Sequence, residues 1–393
     1  MTQATDLLTG TWRYPTNIHF GAGRIGELPE ACKNLGMSNP LLVTDAGLAK
    51  LPMVSDALAG NEAAGLPTAL FDDIQPNPVE SNIHAGAVAF SDGKHDGIIA
   101  FGGGSALDSG KNIALAAQSD VPLWDFDVTS PNFVRDRDVN LPPIIAIPTT
   151  AGTGSEVGRA AVVTDETTHT KRILAHPRIM PSVVIADPKL TLGLPPHITA
   201  ATGMDALAHS LEALCADVEY HPMADGIALE GMRLVKEWLP EAVRNGANIE
   251  ARAHMMAAAS MGATAFQKGL GAIHALSHPL GALFDTHHGL ANAIVMPYVL
   301  LFNRAAIEDR MGRLARYLNL PKPTFGAALD WILELRNTIA IPNSLAEIGI
   351  DESRIEELAS MAAVDPCAPE NPVPAGAAEM KSMYLAALHG DLS

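Results

Sequence analysis

"IIAFGGGSALDSGKNIALAA" (residues 98–117) joins an unbroken apolar run to three glycines and then to apolar residues at helical spacing. A continuous aliphatic run that ends in glycine is the pattern of a parallel strand buried on both faces. Gly102, Gly103, Gly104 and Ser105 then form the turn into a helix whose first turns carry Asp108 and Lys111. Without side chains the backbone N–H groups approach a ligand closely, and a helix N-terminus favours negative charge, so a pyrophosphate fits this turn. Glycines serve tight strand-to-helix turns for steric reasons too, so the neighbouring segments decide between the readings.

Those neighbours repeat the pattern. "PLLVTDAG" (40–47), "PPIIAIPTT" (142–150) and "PSVVIADP" (181–188) are further aliphatic runs ending in small or polar residues. The first half is therefore expected to be an open, parallel, Rossmann-like α/β sheet, whose ligands bind beyond the carboxyl ends of the strands. Asp45 ends one run as a carboxylate able to accept from adenosine ribose hydroxyls. "PTTAGTGSE" (148–156) ends another with hydroxyls and glycines suited to a nicotinamide or a phosphate. The usual G-x-G-x-x-G is absent and the glycines come about 100 residues into the chain, so a relative of the standard dinucleotide fold is expected.

Beyond Pro188 the grammar changes to Ala-, Leu- and Met-rich stretches at helical spacing, such as "ITAATGMDALAHSLEALCA" (198–216). Two domains are expected, an α/β domain over 1–188 and an all-helical domain over 189–393, with "LTLGLPPH" (190–197) as the joint.

Composition narrows the function classes. The formal net charge is −18, which disfavours nucleic acid and anionic membrane surfaces as partners. No apolar run reaches the roughly 18 residues of a membrane span, and "MTQATDLLTGTWRYP" (1–15) has no basic start followed by an apolar stretch, so a cytoplasmic location is expected. Three scattered cysteines (Cys32, Cys215, Cys367) form neither a disulfide framework nor a thiolate zinc motif. A metal would be held by oxygen and imidazole.

The helical half supplies those donors. Asp205 and His209 are four apart in "TGMDALAHSLEA", on one helical face. His274 and His278 repeat that spacing in "HALSH", Pro279 and Gly281 close the segment, and His288 follows. A lone buried histidine is usually a hydrogen-bonded core residue. Five donors in apolar surroundings are better explained by a divalent cation, and three imidazoles with a carboxylate suit ferrous iron or zinc.

"GGGSALDSGK", "PTTAGTGSE", "TGMDALAHSLEA" and "HALSHPLGALFDTHHGLANAIVMPYV", in this order, resemble the iron-containing (group III) alcohol dehydrogenase family, from "YPTNIHFGAG" (14–23) to "DPCAPENP" (365–372). The resemblance implies a dinucleotide-binding α/β domain and a helical metal domain of dehydroquinate synthase-like architecture. It implies metal-assisted, reversible hydride transfer between a small alcohol and NAD, giving the aldehyde. It places the metal ligands, for Fe2+ or Zn2+, at Asp205, His209, His274 and His288, and a non-ligand, proton-handling histidine at His278. It assigns NAD contacts to Asp45, Asn77, Gly102, Gly103, Gly104, Ser105, Asp108, Thr149, Thr150 and Lys171, with Asp45 favouring NAD over NADP. It implies a homo-oligomer, a dimer or higher.

His287 matches no ligand position and reads as a polar wall. Cys367 matches a position lining the substrate cavity, and Val373 stands where many members carry a basic residue. Lys268 and Arg159 are the cations considered for an anionic substrate, which a 4-hydroxybutyrate-type hydroxy acid dehydrogenase would need. A dehydroquinate-synthase-like lyase needs several basic contacts that the sequence does not display, and a metal-dependent hydrolase would leave the glycine turn without a use.

Overall fold

The structure is a computed structural model that describes residue 14 and residues 16–135, 137–168 and 170–392. Residues 1–13, most of the stretch read above for a leader, lie outside the described residues. The chain divides into two compact units, one of Pro15–Gly193 and one containing Leu194–Ser393.

In the first unit, strands β1 (Asn17–Phe20), β2 (Leu41–Val43), β3 (Ala69–Phe71), β4 (Ile98–Gly102) and β5 (Ile144–Pro148) precede a hairpin of β6 (Ala160–Asp165) and β7 (Thr170–Ala175) and then β8 (Val183–Ala186). Helices α1 (Leu28–Asn34), α2 (Pro52–Ala63), α3 (Glu80–Asp92) and α4 (Gly104–Gln118) connect the early strands. Six strands form one sheet in the order β1-β8-β5-β4-β2-β3. Every neighbouring pair in it is parallel. The four aliphatic runs became β2, β4, β5 and β8, and β2, β4, β5 and β8 are buried along their lengths, as two-sided coverage requires. From β2 the chain steps outward to β3, then crosses back to β4 and on to β5 and β8. The strand order therefore reverses between β2 and β4, the switch point beyond which ligands sit in open α/β sheets. The antiparallel β6–β7 hairpin was not anticipated, because its alternation of buried and half-buried residues lacks a continuous apolar run.

The second unit contains helices α5 (Pro196–Cys215), α6 (Pro222–Arg244), α7 (Ile249–Ala265), α8 (Ala272–Phe284), α9 (His288–Tyr317), α10 (Phe325–Thr338), α11 (Ile355–Ala363) and α12 (Ala377–His389), and no strand among the described residues. By length and composition α9 could cross a membrane, which corrects the count of apolar runs made from the sequence; 67% of its most apolar window is buried inside the unit, as in a core helix. A second correction concerns Pro279. It does not close its segment, because α8 runs through it to Phe284. Proline removes one backbone donor from the helix, and nearby the buried Tyr384 hydroxyl donates to the Leu276 carbonyl at 2.6 Å, giving that turn an outside partner.

Candidate active site

Asp205 and His209 project one turn apart from α5, His274 and His278 one turn apart from α8, and His288 opens α9. What brings α9 against α5 is Gly289. A Cβ there would lie 2.2 Å from the Ala201 carbonyl oxygen and 3.0 Å from the Asp205 Cβ, so only glycine lets the two backbones meet. As a result Asp205 Oδ1 is 3.6 Å from His288 Nε2, and the four-residue spacing on α5 sets it 4.0 Å from His209 Nε2. The His209 and His274 rings stack at 4.7 Å. One donor atom from each of Asp205, His209, His274 and His288 lies within 4.8 Å of the others. The first three are buried and His288 keeps 27% of its side chain exposed, so the cluster has an open side.

Two residues that the sequence reading missed hold this cluster. Glu212 accepts the Ile273 backbone N–H at 2.7 Å and pairs with Nδ1 of His274. A proton on Nδ1 leaves the Nε2 lone pair for the cluster. Burial opposes charge on His274, but Glu212 and then Asp205 outweigh it and raise the imidazole's proton affinity. Asn292, fully buried, donates to Asp205 Oδ1 at 2.8 Å, and its Nδ2 stands 3.3 and 3.2 Å from Nε2 of His274 and His288. The signal was helical spacing: Glu212 is three residues beyond His209 and Asn292 four beyond His288.

The donor set fits a divalent cation. Asp205 and Glu212 are both buried, and among the described residues no lysine or arginine pairs with either. The Asn292 amide oxygen is buried with no hydrogen-bond partner among the described residues. With the imidazoles neutral, as metal ligands must be, the two buried carboxylates leave a deficit of two positive charges, which one such ion removes.

His278 lies apart from these four. Its Nδ1 pairs with Asp365 Oδ2 at 2.7 Å, and its ring stacks on His288 at 5.4 Å. Burial pushes the Asp365 carboxyl up, but His278 and the Cys367 N–H, which donates to Oδ1 at 2.9 Å, hold it below the usual carboxylate range. Burial and the nearby acids push the Cys367 thiol well up. Nothing in the sequence pointed to Asp365 as the partner of a histidine 87 residues away. His287 is exposed and serves as the N-cap residue of α9.

Lys268 is not available to a substrate. It is 5% exposed, and its Nζ donates to Asp225 at 2.7 Å, a carboxylate that Arg313 also pairs with at 3.2 Å. The buried ammonium needs the half-buried Asp225 as its counter-charge, so the charge of Lys268 is committed to packing.

In the first unit the residues expected at the cofactor gather at the carboxyl end of the sheet. Gly102 has φ +151°, and a Cβ on it would lie 2.7 Å from that of Ala106 and 3.3 Å from Leu48 Cδ2, beside the end of β2. Likewise a Cβ on Gly103 would meet Thr150 at 3.3 Å and one on Gly104 would meet Thr153 at 2.7 Å. Ser105 donates to the Pro76 carbonyl, next to Asn77. Thr149 N–H donates to the Gly102 carbonyl at 2.9 Å. Lys171 pairs in register with Thr164, whose N–H donates to Pro78 at 2.8 Å, so Asn77 and Lys171 are neighbours through the hairpin. Asp45 Oδ1 accepts from the Gly47 and Leu48 N–H groups, each at 2.9 Å. Gly103 caps α4 without a side-chain acceptor, leaving first-turn N–H groups for a ligand.

Asp108 differs from the rest of that set. Its carboxylate accepts from Ser155 Oγ at 2.5 Å and Val162 N–H at 3.0 Å, and Lys111 donates to Ser155 Oγ at 2.8 Å and to the Ala160 carbonyl at 3.0 Å. Asp108 thus ties α4 to β6.

An open parallel α/β unit with a phosphate-type turn, together with a helical unit bearing a buried Asp/His cluster, defines a metal-binding oxidoreductase. The comparisons with known proteins agree. Residues 15–188 match the family model described as iron-containing alcohol dehydrogenase, and residues 199–388 match that of the C-terminal region of the Fe-containing alcohol dehydrogenase family. The chain belongs to the iron-containing alcohol dehydrogenase family. It is 38% identical to the 4-hydroxybutyrate dehydrogenase of Cupriavidus necator, over 94% of this chain and 97% of that one. It is 36% identical to the NAD-dependent methanol dehydrogenase of Bacillus methanolicus, over 90% and 93%. The crystal structure of a 1,3-propanediol oxidoreductase superposes with a TM-score of 0.92 at 35% identity, covering 97% of this chain and all of the other.

Proposed function

We propose that the protein interconverts a small primary alcohol and its aldehyde, using NAD and a divalent ion, iron or zinc, held by Asp205, His209, His274 and His288. The observation that carries this reading is the buried, cation-deficient Asp/His cluster with its open side at His288. When bound, the ion supplies Lewis acidity toward the substrate oxygen, and NAD supplies the hydride acceptor. Glu212 and Asn292 orient His274 and Asp205. His278, with its Nδ1 proton held by Asp365, presents Nε2 as the acceptor for the proton that alcohol oxidation releases. In the α/β unit, Gly102–Ser105 and the start of α4 receive the pyrophosphate, Thr149 and Thr150 the nicotinamide half, Asn77 and Lys171 the flanking wall, and Asp45 the adenosine ribose. The Asp45 carboxylate repels a 2′-phosphate, so NAD is preferred to NADP. The protein assembles as a homo-oligomer through β1, the edge strand of the sheet among the described residues, which exposes Ile18 and Phe20.

A hydroxy acid is the second reading, favoured by the likeness to the Cupriavidus necator enzyme. The test is a panel of primary alcohols, diols and 4-hydroxybutyrate, with NAD and NADP, on protein reconstituted anaerobically with Fe(II) or Zn(II). Net NADH formation is the expected result. A metal-loaded protein that turns over no alcohol would overturn the reading, and turnover of another substrate without net change in nicotinamide absorbance would mark a lyase.

A further inference from the structure

Beside the Asp/His cluster lies a second group of donors that shares no residue with it: His278 from α8, and Asp365 and Cys367 from the turn after α11. Their donor atoms lie within 4.8 Å of one another, and the side chains of Asp365 and Cys367 are buried. Asp365 sits in the middle, with one oxygen on Nδ1 of His278 at 2.7 Å and the other on the backbone N–H of Cys367 at 2.9 Å.

We propose that this trio is a second divalent-metal site, bearing a thiolate and selective for zinc-like cations, and that filling it stops turnover. The two clusters differ in softness. The first offers three imidazoles and a carboxylate; the second offers sulfur, nitrogen and oxygen, a mixed set that suits zinc with a fourth position open. Ligands at about 2.0–2.3 Å from zinc stand roughly 3.3–3.8 Å apart in a tetrahedron, so the 2.7 Å contact between His278 and Asp365 needs to open by less than about 1 Å. The balance of charge is also right. Binding releases the thiol proton of Cys367 to solvent and moves the Nδ1 proton of His278 to Nε2, and carboxylate plus thiolate then neutralise the dication. That same transfer occupies Nε2, so His278 no longer accepts the proton of alcohol oxidation. The loss of turnover therefore rests on the role proposed above for His278, whereas metal binding at the trio does not.

The test uses cobalt and zinc on the full chain. Metal-free protein titrated anaerobically with Co(II) should take two equivalents, and only the trio should give a near-ultraviolet thiolate-to-cobalt charge-transfer band. His274→Ala, which disables the first cluster, should keep that band with one equivalent; Cys367→Ser should lose it. With zinc, enzyme already loaded at the first cluster should lose about 10²-fold of its rate on the second equivalent, the low end of what a general acid–base group contributes. The rate of Cys367→Ser, relative to its own value with only the first cluster loaded, should not respond to the second equivalent. One equivalent and no thiolate band in the wild type, or a band that survives Cys367→Ser, overturns the site. Should Cys367→Ser fold poorly, cobalt X-ray absorption of His274→Ala should show one sulfur ligand on the bound ion; a shell of nitrogen and oxygen alone is equally decisive. Two equivalents with the band but undiminished turnover would retain the site and overturn its inhibitory effect.

Discussion

Each unit buries a cluster of charge, and the two are balanced in opposite ways. In the α/β unit, the Asp108 and Glu156 carboxylates face the fully buried ammonium of Lys111, and Lys171 adds a second positive charge near Asp108. In the helical unit, the only basic side chains that pair with Asp205 and Glu212 among the described residues are histidines. A cluster that carries its own counter-charges holds a fold together. One that lacks them by two units is built around something the chain does not encode, and this contrast separates a structural network from a ligand site more sharply than burial does.

Removing a ligand from the deficient cluster should have the largest effect. His274→Ala should bind less than one metal ion per chain at the first cluster and lose about 10³-fold or more in kcat/KM, because a metal's charge stabilisation is worth several kcal/mol. The adjacent surface histidine is the control: His287→Ala should keep its metal and its rate. Metal analysis after gel filtration, alongside kinetics, checks both.

The balanced cluster should answer with stability instead. Lys111→Met leaves Asp108 and Glu156 without their main counter-charge and the Ser155 and Ala160 carbonyls without their donor, so unfolding free energy should fall by about 3–5 kcal/mol in denaturant titrations. The pH dependence has a definite sign. Burial pushes the Lys111 ammonium down to about 8 from 10.5, against the opposing pull of Asp108 and Glu156. Between those values the unfolded chain holds a proton that the folded chain has released, so the Lys111 contribution to stability rises with pH across this window. The difference between wild type and Lys111→Met should therefore widen from pH 8 toward pH 10; a constant difference would contradict it.

Gly289→Ala tests the geometry that gathers the deficient cluster. The new methyl would run into the Ala201 backbone carbonyl, which has no rotamer to escape into. A cost of about 1–3 kcal/mol is expected from overpacking alone. If the Gly289 contact sets the spacing between α5 and α9, metal affinity should fall as well, whereas Gly26→Ala, where a Cβ meets nothing within 4 Å, should change neither.

Legibility in the sequence followed the range of the physical signal. The buried strands β2, β4, β5 and β8 announced themselves because two-sided burial writes a continuous aliphatic run, whereas β1, β3 and the β6–β7 hairpin carry only short or alternating patterns. The four donors of the first cluster were readable because three helices repeat the four-residue spacing or begin on a ligand. Which histidine stands apart was not readable from spacing, since His278 occupies the same face of α8 as His274; its separation comes from Asp365, 87 residues away. Lys268 shows the reverse case. A cation beside a ligand helix left both an anion receptor and a structural cation open, and only the fold reveals Asp225 already in its grasp.

Glu212 gives the finest test of the contrast, because orientation and charge can be separated there. Glu212→Gln keeps a carbonyl oxygen that accepts the Nδ1 proton of His274, but removes one of the two negative charges of the cluster. Glu212→Ala removes both the acceptor and the charge. If the charge deficit is what attracts the ion, Gln should weaken metal binding nearly as much as Ala, each by about 10- to 100-fold in a chelator competition. If orientation of the ring dominates, Gln should stay near wild type while Ala falls alone. Because Glu212 also accepts the Ile273 N–H, the stability of both metal-free variants must be compared: a loss of affinity in Gln with unfolding unchanged assigns the effect to charge, and places the difference between the two clusters in electrostatics, not in packing.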